Sequence, residues 1–275
     1  MVRGNLRKMV TRLGPPVEYL LRLGDQQVAL NQYVGRSIQL RYCGEIHCVH
    51  CGRKSSKSFG QGYCYPCFRD LPECDSCIVK PETCHYEAGT CRDPEWGERN
   101  CFQEHYVYLA NSSGIKVGIT RGSQIPTRWM DQGATQALPI LRVQNRFQSG
   151  LVEVALKQHV ADRTDWRKML KGAAESVVLE QVRDELLASC AAEITKLKGR
   201  FGDAAITILG DEAQQQIEYP VTTYPVKVAS LSFDKNAVVA GRLDGIKGQY
   251  LIFDSGVINI RKFGGYLVEF AEVEQ

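Results

Sequence analysis

Long hydrophobic runs are absent from the sequence: no stretch approaches the roughly 20 consecutive apolar residues that a membrane-spanning helix requires. The basic segment at residues 1–8 is not followed by the apolar core of a secretory signal. We therefore expect a cytoplasmic protein with no membrane partner. Because a reducing compartment disfavours disulfides, cysteines in this chain are candidate metal ligands.

A large excess of one charge is also absent. The 34 Lys and Arg residues nearly balance the 31 Asp and Glu residues, which gives a formal net charge of +3. This weakly basic balance neither favours nor excludes a nucleic-acid partner. A length of 275 residues allows two small domains, or three if metal ions stabilise one of them.

Cysteine is scarce everywhere except in one window. Ten of the eleven cysteines lie between Cys43 and Cys101, and only Cys190 lies outside. Residues 175–198 predict one long helix with an apolar stripe that includes Cys190. We therefore predict that Cys190 is a buried small apolar residue and that the window is a metal-binding module.

The first predicted metal site consists of two Cys-x-x-Cys knuckles separated by twelve residues. That spacing lets four thiolates converge on one tetrahedral ion, typically zinc. The polar loop between the knuckles carries Arg53, Lys54 and Lys57, which either contact nucleic acid or offset the charge of the thiolates. The predicted zinc ligands are Cys48, Cys51, Cys64 and Cys67.

A second set of cysteines follows, for which the sequence allows several ligand combinations. His85 and Cys101 compete for places in this site, and Cys43 and His47 could join either site. We favour a second zinc because the paired knuckles are zinc-like, with a four-cysteine iron–sulfur cluster as the rival. Both ions are predicted to be structural, since a closed four-thiolate site has no open position for a substrate. The preferred ligands are Cys74, Cys77, Cys84 and Cys91.

The strand, turn and helix signals predict an α+β protein. Several short candidate strands near the C-terminus, one of them over residues 224–233, suggest a small barrel. The sequence leaves open whether the N-terminal and C-terminal β segments complete one barrel together. The predicted units are an N-terminal β segment at 1–42, a cysteine-rich zinc-binding module at 43–104, an α/β domain at 105–172, a connecting helix at 173–205 and a C-terminal β domain at 206–275.

The α/β domain begins with a predicted hairpin. Strand signals at residues 106–110 and 115–120 flank turn residues at 111–114. A short helix over 126–133 and a third strand over 138–143 are predicted to follow. Ser149 is a candidate capping residue, so a second helix is predicted to begin there.

Short motifs in this domain occur in an informative order. Val107-Tyr108-Leu109 lies on the first hairpin strand, and Lys116-Val117-Gly118 lies on the second. Arg128 follows on the short helix, and Glu153 lies early in the next helix. On these residues, the stretch 107–153 resembles the GIY-YIG nuclease superfamily, most closely its divergent phage- and restriction-associated branch.

The resemblance implies Mg²⁺-dependent hydrolysis of a phosphodiester. Tyr108 would assist in activating water, Arg128 would hold the scissile phosphate, and Glu153 would bind Mg²⁺. Lys116 replaces a tyrosine of the second box, as in the related branch, and can polarise water only if its pKa falls. Tyr106, on the same strand face as Tyr108, is an alternative for either role.

The layout from the cysteine window to Asp162-Arg-Thr-Asp-Trp166 also resembles an uncharacterised bacterial family with no settled activity. The primary hypothesis is therefore a nucleic-acid-binding protein with Mg²⁺-dependent cleavage. Arg121, Arg163 and Arg167 would join the loop cations as phosphate contacts. One alternative is a catalytically inactive zinc-dependent module that binds nucleic acid or a protein partner. Another is an iron–sulfur redox or sensor protein.

Overall fold

A computed structural model describes residues 1–273 of the chain. It contains helices together with two antiparallel sheets, which confirms the α+β class predicted from the sequence. Within these residues, no helix has both the length and the apolar character needed to cross a membrane.

The strands are numbered in chain order. The first group is β1 Val2–Arg12, β2 Glu18–Leu23, β3 Gln26–Ala29, β4 Ser37–His47 and β5 Lys54–Ser55. The second group is β6 His105–Asn111, β7 Ile115–Arg121, β8 Gln136–Val143, β9 Ile206–Ile208 and β10 Gln215–Gln216. The last group is β11 Val238–Lys247, β12 Tyr250–Phe253, β13 Gly256–Asn259 and β14 Tyr266–Glu272.

The α-helices are short and are also numbered in chain order. They are α1 Tyr65–Asp70, α2 Pro94–Cys101, α3 Thr127–Asp131, α4 Arg146–Leu156, α5 Trp166–Met169, α6 Leu179–Ser189 and α7 Ala191–Phe201. Three 3₁₀ turns, Pro72–Cys74, Ser76–Ile78 and Pro81–Thr83, connect the cysteines between α1 and α2.

The first sheet joins the two ends of the chain. Its strand order is β13-β12-β11-β4-β14-β1-β2-β3, with β5 paired to β4. Strand β4 lies between β11 and β14, so the N-terminal and C-terminal β segments form one sheet. In β2, the buried residues Tyr19, Leu21 and Leu23 alternate with more exposed neighbours, which turns one face of the strand to the core. The unit boundaries drawn from the sequence remain a prediction.

The second sheet contains the predicted hairpin, β6–β7, and the predicted third strand, β8. Its order is β10-β8-β6-β7, with β9 paired to β8. Strand β6 separates two hydrophobic cores: Tyr108 and Ala110 pack with residues of the first sheet, whereas Val107 and Leu109 pack with residues of α4, α6 and α7. Because side chains alternate across a strand, β6 must be apolar on both faces.

Two helix predictions differ from the structure. Residues 175–198 do not form one helix, because α6 ends at Ser189 and α7 begins at Ala191. Cys190 between them has φ −107° and ψ 15°, outside the helical region, although it is buried as predicted. Helix α4 begins before Ser149, because the side chain of Asn145 accepts a hydrogen bond of 2.9 Å from the backbone N–H of Gln148 and caps it.

The strand predicted over residues 224–233 is also wrong. Apart from one isolated bridge between Ser230 and Val257, this segment pairs with no strand of the described chain. Pro225 has no N–H to donate, and Val226 is exposed, so the start of the segment can neither join a ladder nor bury its apolar residue.

Candidate metal centres and active site

The four cysteines of the two knuckles converge. The ligand atoms of Cys48, Cys51, Cys64 and Cys67 all lie within 4.8 Å of one another. The sulfur atoms of Cys51 and Cys64 are 3.8 Å apart. Four thiolates at about 2.3 Å from a tetrahedral zinc ion stand roughly 3.8 Å from each other, so this group could hold a zinc ion.

Backbone hydrogen bonds give the knuckles their shape. The N–H of Cys48 donates to Arg53 O over 2.9 Å, and the N–H of Gly52 donates to Cys48 O over 3.0 Å. Gly52 takes φ +73°, which favours glycine in this turn. Burial raises the pKa of the Cys48 thiol, but backbone N–H groups of Cys51, Cys64 and His50 outweigh it and lower the pKa to about 6. Such donors stabilise the thiolate that binds metal.

The second set of cysteines is only partly assembled as predicted. Cys77, Cys84 and Cys91 line one small cavity, but its fourth cysteine is Cys101. Cys74 does not line that cavity; burial, followed by the charge of Glu73, raises the pKa of its thiol to about 11. Neither Cys43 nor His47 belongs to a metal-binding group within residues 1–273.

A cavity of about 590 Å³ brings together most of the predicted catalytic residues. Lys116 on β7, Arg128 on α3 and Glu153 on α4 all line it, as do the predicted phosphate contacts Arg121 and Arg163. Its charged lining residues are the cations Lys8, Lys80, Lys116, Arg121, Arg128, Arg146, Lys157, Arg163 and Arg261, and the acids Glu82, Asp131, Glu153 and Asp162. We call this space the basic cavity.

Backbone pairing explains how these residues meet. Lys116 forms an isolated parallel bridge with Ala161, and the N–H of Val117 donates to Ala161 O over 2.8 Å. The segment that follows α4 therefore runs beside β7 and places Asp162 and Arg163 at the cavity. Helix α4 itself packs against β6 and β7, which turns Glu153 toward the same space.

Tyr108 lies directly behind the wall of the basic cavity. It is fully buried, and its hydroxyl donates a hydrogen bond of 3.1 Å to Oε1 of Gln132, which lines the cavity. Tyr108 faces Gly118 across the β6–β7 pair, and a Cβ at Gly118 would lie 2.6 Å from the phenol oxygen. The alternative phenol, Tyr106, packs near Gly122 and does not line the cavity.

Burial perturbs the pKa of two of the ionisable groups that the resemblance places in the chemistry and that line the cavity. It lowers the pKa of Lys116 to about 8, helped by the positive charge of Arg128. It also raises the pKa of Glu153 to about 7, helped by the negative charge of Asp162. The lowering of the Lys116 pKa is in the direction that would let its amine polarise water.

The comparisons with known proteins place this arrangement in a family. The family model described as "Protein of unknown function (DUF2797)" matches residues 35–268. The chain belongs to this family. No curated protein and no solved structure matches the chain. The DUF2797 match includes both cysteine groups and nearly all of the basic cavity, and its description assigns no activity.

The remaining predicted phosphate contacts of this DUF2797 chain lie away from the basic cavity. The negative charges of Cys51 and Cys64 raise the pKa of Arg53, which fits the interpretation that this cation offsets the charge of the thiolates. Lys54 pairs with Glu45 at 2.9 Å. Arg167 stacks on Trp166, with its guanidinium carbon 4.3 Å from the ring centroid. Like Lys57, none of these residues lines the basic cavity.

Sequence reasoning missed several residues of the basic cavity in this DUF2797 protein. Arg146 is the first residue of α4, Lys8 comes from β1, and Arg261 comes from a 3₁₀ turn near the C-terminus. Lys8 pairs with the nearly buried carboxylate of Asp131. Motif spacing cannot reveal such residues, because only the packing of distant segments brings them to one wall.

We predict that Gly118→Ala destabilises the protein by about 1–3 kcal/mol, because the new methyl group would overlap the phenol of the buried Tyr108. Urea unfolding measures this change. Gly199→Ala is the matched control, since open space surrounds Gly199 in α7 and alanine favours the helix. Equal stability changes in the two variants would contradict the close packing of Gly118 on Tyr108.

The raised pKa of Glu153 predicts a pH-dependent stability. The folded state binds the proton more tightly than the unfolded state, whose carboxyl titrates near 4.5, so the protein loses stability as pH rises from 4.5 through about 7. Glu153→Gln removes this loss. In magnesium-free buffer, its free energy of unfolding relative to wild type should increase between pH 5 and 8 by on the order of 2 kcal/mol. A pH-independent difference in urea unfolding would contradict the prediction.

Proposed function

We propose that the chain binds nucleic acid in the basic cavity and cleaves a phosphodiester bond there with Mg²⁺. One observation carries the proposal: Lys116, Arg128 and Glu153 come from three different elements and line the same cationic space. If these three charged residues served only to face solvent, there would be no reason for them to converge on one cavity. The resemblance of residues 107–153 to the GIY-YIG superfamily supports the same reading of these side chains.

The site offers a donor set that fits Mg²⁺. The Glu153 side chain forms no hydrogen bond or ion pair with residues 1–273, and Asp162 is close enough for its charge to raise the pKa of Glu153. Carboxylate oxygens are the ligands that Mg²⁺ takes in phosphate sites. A bound Mg²⁺ would offset the repulsion between these carboxylates and neutralise charge on the phosphate.

The other side chains have roles that follow from their chemistry. The planar guanidinium of Arg128 would bind two phosphate oxygens at once. Lys116, with its pKa lowered to about 8, would hold or take up a proton of the attacking water. Tyr108 packs against Gly118 and donates a hydrogen bond to Gln132. It would therefore act on the substrate only through these two residues, which line the cavity.

The position of Tyr108 also favours a second candidate, a binding module without catalysis. Its phenol is fully buried and does not line the basic cavity, so it has no direct path to a substrate water in this arrangement. In that case the same cations bind phosphate groups, and the zinc knuckles present a surface to nucleic acid or to a protein.

A binding and cleavage screen tests both candidates. Labelled single-stranded, duplex and branched DNA and structured RNA are incubated with Mg²⁺ or Mn²⁺, and binding is measured at increasing salt. We expect binding that weakens steeply with salt and cleavage of at least one substrate class. Salt-dependent binding without cleavage would leave only the binding module, and an absence of binding to every substrate would overturn both candidates.

A further inference from the structure

Four cysteines outside the zinc knuckles surround one cavity. Cys77 lies in the 3₁₀ turn Ser76–Ile78, Cys84 follows the turn Pro81–Thr83, Cys91 lies in the next loop and Cys101 ends α2. Asp75 and Arg92 also line this cavity and form an ion pair with each other at 2.9 Å. The rest of the wall is Pro72, Ile78, Tyr86, Trp96, Gly97 and Phe102. Four thiols with mostly apolar neighbours are typical of an enclosed metal centre.

The four thiols are near enough to affect one another. After burial and the charge of Asp75, the charges of Cys84, Cys101 and Cys91 are what raise the pKa of Cys77. The charges of Cys84 and Cys91 likewise contribute to raising the pKa of Cys101. Because all four line one cavity, these cysteines form a single group, although they are spread over 25 positions of the sequence from Cys77 to Cys101.

The spacing of the group differs from that of the zinc knuckles. All four ligand atoms of the knuckles lie within 4.8 Å of one another, but no three of Cys77, Cys84, Cys91 and Cys101 do, and all four are described residues. One zinc ion requires its four sulfur atoms roughly 3.8 Å apart. A four-iron cluster holds its thiolates farther apart, because each thiolate binds a different iron at its own corner.

Another set of ligands can be set aside on its contacts. Asp75, Cys77 and His85 have ligand atoms within 4.8 Å of one another. However, the Asp75 carboxylate already pairs with Arg92 at 2.9 Å, and its other oxygen accepts from the Cys77 N–H. His85 uses both ring nitrogens, toward Thr90 at 2.8 Å and toward Asp75 at 3.3 Å. These contacts already engage the ligand atoms of Asp75 and His85.

We propose that Cys77, Cys84, Cys91 and Cys101 bind a [4Fe–4S] cluster, alongside a single zinc ion at the knuckles. This assignment differs from the second zinc site expected from the sequence in its metal and in one ligand, with Cys101 in place of Cys74. Iron–sulfur clusters are commonly held by four cysteine thiolates in this way.

The proposed cluster lies against the candidate active site. Arg146, the first residue of α4, donates to Ile78 O over 2.5 Å. Burial lowers the pKa of its guanidinium, whereas the charges of Cys101 and Cys77 raise it. A Cβ added to Gly150 in α4 would lie 2.5 Å from the backbone nitrogen of Glu82, in the chain between Cys77 and Cys84. The cluster loop thus packs tightly on the helix that carries Glu153, and the cluster would hold that helix in place.

Metal analysis of protein expressed and purified without oxygen tests the proposal and needs no cleavage assay. We expect about four iron and about four sulfide ions per chain, a broad visible absorption and one zinc. Two zinc ions without iron, even after reconstitution with iron and sulfide, would overturn the cluster. A chain with one zinc and no further metal after that reconstitution would overturn it equally.

Matched serine variants test the ligand set. Cys101→Ser should lose most of its iron and visible absorption but keep its zinc, whereas Cys74→Ser should keep both. The reverse pattern, with iron lost in Cys74→Ser and kept in Cys101→Ser, would contradict the assignment. If Cys101→Ser does not fold, the iron, sulfide and zinc content of wild type still decides between a cluster and a second zinc.

Discussion

Glu153→Gln is expected to reduce Mg²⁺-dependent cleavage by about 100-fold or more while leaving nucleic-acid binding within a few-fold of wild type. The amide keeps the size of the side chain but removes the charge that would hold the metal. Binding should persist because it depends on the nine lysine and arginine side chains that line the basic cavity, and none of them changes.

Single-turnover cleavage and binding without added magnesium measure the two effects separately. Glu82→Gln is the matched control, since Glu82 lines the same cavity and its negative charge contributes to the raised pKa of Glu153. That variant should cleave within a few-fold of wild type. Unchanged cleavage in Glu153→Gln, or an equal loss in both variants, would exclude Glu153 as the metal ligand.

Loss of zinc from the knuckles is expected to unfold residues around Cys48–Cys67 and to lower the melting temperature by on the order of 10 °C or more. Among residues 48–67, the buried core includes only Cys48 and Cys64, so we expect most of the folding free energy of the knuckles to come from a bound metal. Binding of a structural zinc ion contributes roughly 10 kcal/mol or more in isolated zinc-finger peptides.

The loss should extend into the first sheet. The N–H of His47 donates to Gly265 O over 2.8 Å, and the Ser58 hydroxyl donates to Gly264 O over 2.9 Å. A Cβ at Gly264 would lie 2.2 Å from Gln61 O, so the knuckle loop packs directly on the chain before β14. Unfolding of the loop therefore removes these contacts at the start of β14, a strand that lies between β4 and β1.

Cys64→Ser and treatment with a zinc chelator test this prediction by calorimetry and zinc analysis. Cys64 is buried in the knuckle group, whereas Cys43 lies outside it, so Cys43→Ser is the matched control and should keep both zinc and stability. A Cys64→Ser variant that melts at the wild-type temperature would show that the knuckles fold without the metal.

The local parts of the fold could be predicted because neighbouring residues encode them. The β6–β7 hairpin follows from a turn sequence between two apolar runs, and the short helix α3 was predicted within a few residues of its ends. The helix break at Cys190 could not be predicted, because the apolar stripe continues through it. The start of α4 was misplaced because Asn145 and Ser149 are both good capping residues and only the observed contact distinguishes them.

The sequence by itself determined the α+β class and the knuckle cysteines, and it predicts Tyr108, Lys116, Arg128 and Glu153 as candidate site residues, since spacing along the chain is enough to define a motif. Only the tertiary structure decided that β4 lies between β11 and β14, that Cys101 rather than Cys74 lines the cavity with Cys77, Cys84 and Cys91, and that Lys8 and Arg261 reach the basic cavity. Those contacts join segments far apart in the chain. Their energy comes from burying surfaces against each other, and the order of residues along the chain does not show which surfaces will meet.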